Sequence, residues 1–114
     1  MTTPPTILVA EDEALLRRIL TGLFEDAGYR VVAASTGREA LERFAEMAPD
    51  LVVTDIRMPE MDGLELLERL KAIDPDVLVI IMTAFSSVES AVAALRAGAH
   101  DYIVKPFVND DVLQ

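Results

Sequence analysis

Leu51-Val-Val-Thr-Asp-Ile-Arg-Met-Pro-Glu-Met-Asp-Gly-Leu-Glu-Leu-Leu-Glu-Arg-Leu-Lys-Ala-Ile73 contains the whole architecture in miniature. Leu51–Thr54 is an apolar run of strand length, and Asp55 ends it. Pro59 and Asp62-Gly63 are turn residues, so a loop follows beside Asp55. Asp62 can cap a helix carrying Leu64, Leu67, Leu70 and Ile73, and Pro75 closes it. The same strand–loop–helix pattern extends in both directions. Upstream, Ile7–Ala10 leads into a helix from about Glu13 to Ala27, with Leu16, Ile19, Leu20, Leu23 and Ala27 at helical spacing and Gly28 as its stop. Arg30–Ala34 leads into a second helix, opened by the capping box Thr36-Gly-Arg-Glu39 and ended by Pro49. Its apolar face is read as Ala40, Leu41, Phe44, Ala45 and Ala48. Downstream, Val77–Met82 is a fully apolar strand. A second capping box, Ser86-Ser-Val-Glu89, opens a helix with Val88, Ala91, Val92 and Leu95 on its face and Gly98 after it. Tyr102–Val104 is a fifth strand, and Asn109 starts a fifth helix.

Apolar strands alternating with amphipathic helices imply an α/β fold, a parallel sheet covered on both faces. The 114 residues suffice for one domain with one core. The last helix has little more than one turn before Gln114, so residues 1–114 are expected to be a single domain with its fifth helix truncated. Outer-strand apolar side chains should then be left uncovered. Cysteine is absent, which excludes thiol catalysis, zinc–cysteine sites and disulfides. A net charge of −10 would repel nucleic acid, so no direct nucleic-acid binding is expected. Met1-Thr-Thr-Pro-Pro5 has no basic region and no apolar run. The longest apolar stretch, Val77–Met82, is far short of the roughly 20 residues that cross a membrane. A soluble, cytoplasmic chain is therefore expected.

Open parallel sheets bind ligands beyond the carboxyl ends of their strands. Glu11, Asp12 and Glu13 follow the first strand, Asp55 the third, Thr83 the fourth, and Lys105-Pro106 the fifth. Each alone is ordinarily a cap or a solvated side chain, and Glu13 reads as an acid in a first helical turn. Unrelated caps, however, need not share one sheet edge. Two carboxylates about 4 Å apart repel by roughly 4 kcal/mol at an effective dielectric of about 20. Such a cluster either protonates or recruits a cation. Oxygen ligands favour magnesium (Mg2+), with manganese (Mn2+) able to substitute. His100, the sole histidine, precedes the fifth strand and reads as a surface residue. The remaining groups suit phosphoryl transfer, which depends on positioning and charge neutralisation. A carboxylate can be the nucleophile, Lys105 a point charge for the phosphoryl oxygens, and the Thr83 hydroxyl a hydrogen-bond donor to them.

Four segments in order, Ile7-Leu-Val-Ala-Glu-Asp-Glu13, Val53-Thr-Asp-Ile-Arg-Met-Pro59 with Asp62-Gly63, Met82-Thr-Ala84, and Asp101-Tyr-Ile-Val-Lys-Pro-Phe107, resemble the receiver domains of two-component response regulators. The resemblance runs from about Thr6 to the end. It implies a flavodoxin-like three-layer α/β/α sandwich, its five-stranded parallel sheet in the order 2-1-3-4-5. It implies phosphorelay signalling, in which Asp55 accepts a phosphoryl group from a sensor histidine kinase and the domain catalyses only its own phosphorylation and dephosphorylation. Asp12, Asp55 and the backbone carbonyl of Arg57 would bind magnesium, Glu11 mainly through water. Thr83 and Lys105 would hold the phosphoryl group, with the Lys105–Pro106 bond cis, and Thr83 and Tyr102 would form the switch. A homodimer through the fourth helix and fifth strand is the expected partner surface. Glu11 departs from the family, which more commonly has Asp there. Thr83-Ala-Phe-Ser-Ser-Val-Glu-Ser-Ala-Val92 resembles receivers attached to ATPase-linked transcription activators.

The alternative is a magnesium-dependent phosphatase with an aspartyl-phosphate intermediate. Such hydrolases resemble Asp-x-Asp, the second Asp being the general acid. Arg57 stands at that position here and stays a cation at neutral pH. A flavodoxin-like cofactor module would need a Gly- or Ser/Thr-rich loop after the first strand, where this chain has acids. A pure interaction module would not respond to phosphoryl donors.

Overall fold

The computed structural model describes residues 4–83 and 88–104, with the backbone alone at 83, 88, 90, 91 and 104. In chain order the elements are β1 (Thr6–Ala10), α1 (Ala14–Asp26), β2 (Arg30–Ala34), α2 (Gly37–Met47), β3 (Leu51–Asp55), α3 (Gly63–Ile73), β4 (Val79–Thr83), α4 (Val88–Arg96) and β5 (Asp101–Val104). All strand pairs are parallel, and the sheet order is β2-β1-β3-β4-β5, as expected. The expected fifth helix from Asn109 lies outside the described residues.

Strand side chains alternate between two cores. Leu8, Ala10, Val52, Val79 and Ile81 join Ala40 and Phe44 of α2, Leu66, Leu67 and Leu70 of α3, and Ala94 of α4. Ile7, Val9, Val53 and Met82 join Leu20 and Phe24 of α1 on the opposite face. Helices on both faces make the three layers, and they explain why the strands are apolar throughout rather than alternating.

The helix starts follow local chemistry. Thr36 Oγ1 accepts from Glu39 N–H at 3.0 Å. The Glu39 carboxylate accepts from the N–H of Ser35, at 2.7 Å, one residue earlier than in the standard reciprocal box. It also accepts from the Ser35 hydroxyl at 3.1 Å. These bonds, that from the Ser35 N–H foremost, hold the Glu39 carboxyl below its ordinary range, with Arg43 and Arg17 adding to the effect. Asp62 caps α3 by accepting from Glu65 N–H at 2.8 Å. The capping box expected at Ser86-Ser-Val-Glu89 falls partly outside the described residues. α2 ends on Ala48 with φ at 44°, a left-handed position that favours glycine.

Several helix faces differ from expectation. Ile19 and Ala27 of the first helical segment are exposed, and Phe24 is buried instead. Ala45, Ala48 and Ile73 also face outward. In α4, Val92 and Leu95 are exposed while Ala94 is buried. Ala27 and Ala48 are the C-cap residues that follow α1 and α2; for the others the reason is phase, since neighbouring residues sit about 100° apart around a helix and an apolar cluster wider than the stripe leaves its edge in water. β4 starts at Val79 rather than Val77; Val77 is still buried, its N–H bonded to Asp74 in a turn.

Candidate functional site

β1 and β3 are neighbours, with Ala10 opposite Thr54. The next residues on each strand, Glu11 and Asp55, therefore stand side by side. Glu11 is 1% exposed and Asp55 8%, whereas Asp12 is exposed. Carboxylate oxygens of Glu11, Asp12 and Asp55 all lie within 4.8 Å of one another. At that separation the buried Glu11–Asp55 pair, both ionised, repels by about 3 kcal/mol at an effective dielectric of about 20, while solvent screens the charge of exposed Asp12.

The backbone holds these acids in place. Glu11 N–H donates to Ala34 O at 3.0 Å, and the Glu11 carboxylate accepts from Glu13 N–H at 3.1 Å. Glu13 is the N-cap residue of α1 rather than part of its first turn. Arg57 N–H donates to Asp55 Oδ1 at 3.2 Å, which orients the carboxylate. The Thr54 hydroxyl donates to Asp55 O at 3.0 Å. The loop after β3 folds back on the strand end, with Gly63 N–H bonded to Ile56 O at 2.9 Å. A Cβ at Gly63 would meet Ile56 Cα at 2.8 Å, so this close approach requires glycine. A cleft of about 580 Å³ opens beside Asp12, walled by Arg57, Met58, Pro59 and Asp62.

The donor set fits magnesium. It is all oxygen, and the ion takes oxygens at about 2.1 Å while keeping several waters. A cluster this wide accommodates one ion whose shell is completed by water. Among the described residues no other group of three acid or imidazole side chains converges in this way.

Asp55 lies opposite Met82 on β4, so the Thr83 backbone is one residue further along the same edge. The Thr83 side chain and Lys105-Pro106 lie outside the described residues. Tyr102 is away from the acids. It packs half-buried against the α2–α3–α4 core, and its hydroxyl is buried with no hydrogen-bond partner among the described residues. His100 is exposed, as expected. Sequence reasoning missed Arg17, whose Nη1 donates to Glu11 O at 2.9 Å and lies 3.4 Å from Asp12 O. Its one signal was a cation early in a helix, against the dipole.

The matches to known proteins agree with this geometry. The family described as "Response regulator receiver domain" matches residues 7–114. The chain is 46% identical over 112 residues to the regulatory protein AtoC of Escherichia coli, a match covering 98% of this chain and 24% of AtoC. It is 38% identical over 109 residues to the chemotaxis protein CheY of Thermotoga maritima, covering 95% and 91% respectively. Among solved structures, the CheX-CheY-BeF3-Mg+2 complex from Borrelia burgdorferi superposes with a TM-score of 0.93 at 31% identity, covering 97% of this chain and 85% of that one. The chain thus spans about a quarter of the length of AtoC but nearly all of CheY. The phosphatase alternative gains no support from these relatives, and Arg57, with its N–H committed to Asp55, stands where that chemistry needs an acid. No helix among the described residues is long and apolar enough to cross a membrane. A sheet whose acids meet at one edge and a match spanning residues 7–114 lead to the same conclusion: the chain belongs to the receiver domains of response regulators, the phosphorelay signalling modules of two-component systems.

Proposed function

We propose that Asp55 is the phosphoacceptor and that the phosphoryl donor is a phosphohistidine of a sensor histidine kinase. The observation that carries this is the convergence of Glu11, Asp12 and Asp55 at the ends of β1 and β3. An Asp55 carboxylate oxygen attacks phosphorus, the P–N bond breaks, and the electron pair leaves on the imidazole. The Arg57 N–H holds the carboxylate in one orientation during the attack. Asp12, Asp55 and the Arg57 carbonyl are the residues that would bind magnesium directly, Glu11 through water. Bound there, the ion supplies neutralisation of charge on the phosphoryl oxygens. Manganese fits the same donors. Thr83 and Lys105 are assigned to the phosphoryl oxygens. The domain catalyses its own phosphorylation and dephosphorylation and has no separate substrate.

The switch is assigned to Thr83 and Tyr102. The buried, unpartnered Tyr102 hydroxyl supports this, because an outward turn of the ring would give that hydroxyl water to bond to. A second copy of the chain docking on α4 and β5 is the partner reading, supported by Val92 and Leu95, 40% and 55% exposed. The output assigned to the domain is transcription regulation, a reading supported by the 48% identity over 106 residues to the transcriptional regulatory protein ZraR of Escherichia coli. The test is incubation with magnesium and a small phosphoryl donor, read by intact mass and site mapping. Wild type should gain one hydroxylamine-labile phosphoryl group. Asp55→Asn gaining it at the same rate would refute the assignment.

A further inference from the structure

Arg17 occupies the second turn of α1, a helix with no side-chain cap and no acid in its first turn. A cation there opposes the helix dipole, so its placement needs an acceptor elsewhere. Its Nη1 donates to Glu11 O at 2.9 Å and reaches Asp12 O at 3.4 Å. These two carbonyls belong to the peptide planes on either side of the Asp12 Cα. Holding both planes fixes φ and ψ at Asp12, and with them the direction of its Cβ. Asp12 is exposed, so no packing does this job. Glu11 is gripped from its other side as well, its N–H donating to Ala34 O. The next residue, Ser35, is bonded to Glu39, whose carboxylate feels the Arg17 charge. The Glu11–Ala34 bond therefore joins the segment that Arg17 holds to the start of the β2–α2 loop.

We propose that Arg17 is a positioning residue for the metal site, its one nitrogen holding both peptide planes that flank Asp12 so that the Asp12 carboxylate stays beside Asp55. This rests on the magnesium reading of Glu11, Asp12 and Asp55. Electrostatics alone gives the opposite sign: removing a cation next to a cation site should tighten magnesium binding. Positioning loses affinity instead, and loss of an outer partner of a ligand typically weakens binding by about 10- to 100-fold.

The test is magnesium titration calorimetry on wild type, Arg17→Met and Arg17→Lys, with backbone carbon shifts of Asp12 recorded without metal. Arg17→Met should weaken magnesium binding by about tenfold or more, and its Asp12 shifts should move toward random-coil values. Arg17→Lys keeps the charge and should retain the fold, but a single ammonium should restore only part of the affinity. Magnesium binding by Arg17→Met as tight as wild type, or tighter, overturns the positioning role. Should Arg17→Met fail to fold, Arg17→Lys with unchanged affinity and unchanged Asp12 shifts overturns it equally. A wild type that binds no magnesium sinks the metal reading, and this proposal with it.

Discussion

Tyr102→Phe removes one oxygen and leaves the ring. The Tyr102 ring lies half-buried against the core beneath α4, and its hydroxyl is buried without a partner among the described residues. A buried hydroxyl deprived of both water and a partner costs about 1–3 kcal/mol. Phenylalanine keeps the ring contacts and drops that cost, so the variant should be more stable by about 1–3 kcal/mol. At roughly 4 °C per kcal/mol for a chain of this size, the melting midpoint should rise by about 4–12 °C. Urea unfolding followed by circular dichroism gives the free energy, and an unchanged slope would show that the unfolded state is not the cause. The same substitution biases the side chain toward its inward position, because only the tyrosine gains water by leaving. A Tyr102→Phe protein of equal or lower stability would mean that the hydroxyl has a partner, and the switch argument would lose its physical basis.

Asp12→Ala should abolish magnesium binding while raising metal-free stability by no more than about 1 kcal/mol, since an exposed charge is screened; calorimetry with unchanged magnesium affinity would contradict this. The folded-state pKa of Glu39 is depressed, chiefly by the Ser35 N–H. Its contribution is therefore present above the carboxyl's unfolded value and is lost as pH falls through the folded one, so Glu39→Gln should flatten the acid limb of the stability–pH curve. A limb identical to wild type would refute that. Ala48→Gly relieves a left-handed alanine at the end of α2 and should stabilise by about 1 kcal/mol in urea unfolding, whereas any loss would argue against strain there.

The strand ends were legible because two independent signals coincide there, an apolar run and the charged residue that ends it. Asp55 and Glu11 are examples, and their adjacency follows once β1 and β3 pair. Asp62 and Thr36 were legible as caps because a cap is a local hydrogen bond within three residues. The phase of the helices was harder. Ile19 and Leu20 are equally apolar in sequence, and only the position of the sheet decides that Leu20 is buried. Arg17 was missed because a long side chain reaches acceptors five and six residues back, at a strand end that no periodicity marks. Gly63 was read as a turn residue. Its stricter role, close approach to the Ile56 backbone, is tertiary.

Among the described side chains, α3 meets the sheet through Leu66, Leu67 and Leu70, but α4 meets it through Ala94, with Ala97 half-buried. A buried leucine contributes about 1.5–3 kcal/mol of transfer free energy and a methyl about 0.8. Where Ala94 and Ala97 touch the core, α4 is held by less buried side chain than α3 is at its three leucines. In the language of amide hydrogen exchange, the amides around Ala94 are expected to open at a lower free energy than those around Leu67. The acids at the ends of β1 and β3 would then sit on a stiffer part of the molecule than Val92 and Leu95, and the centre of the fold need not loosen for α4 to respond to a change at the sheet edge.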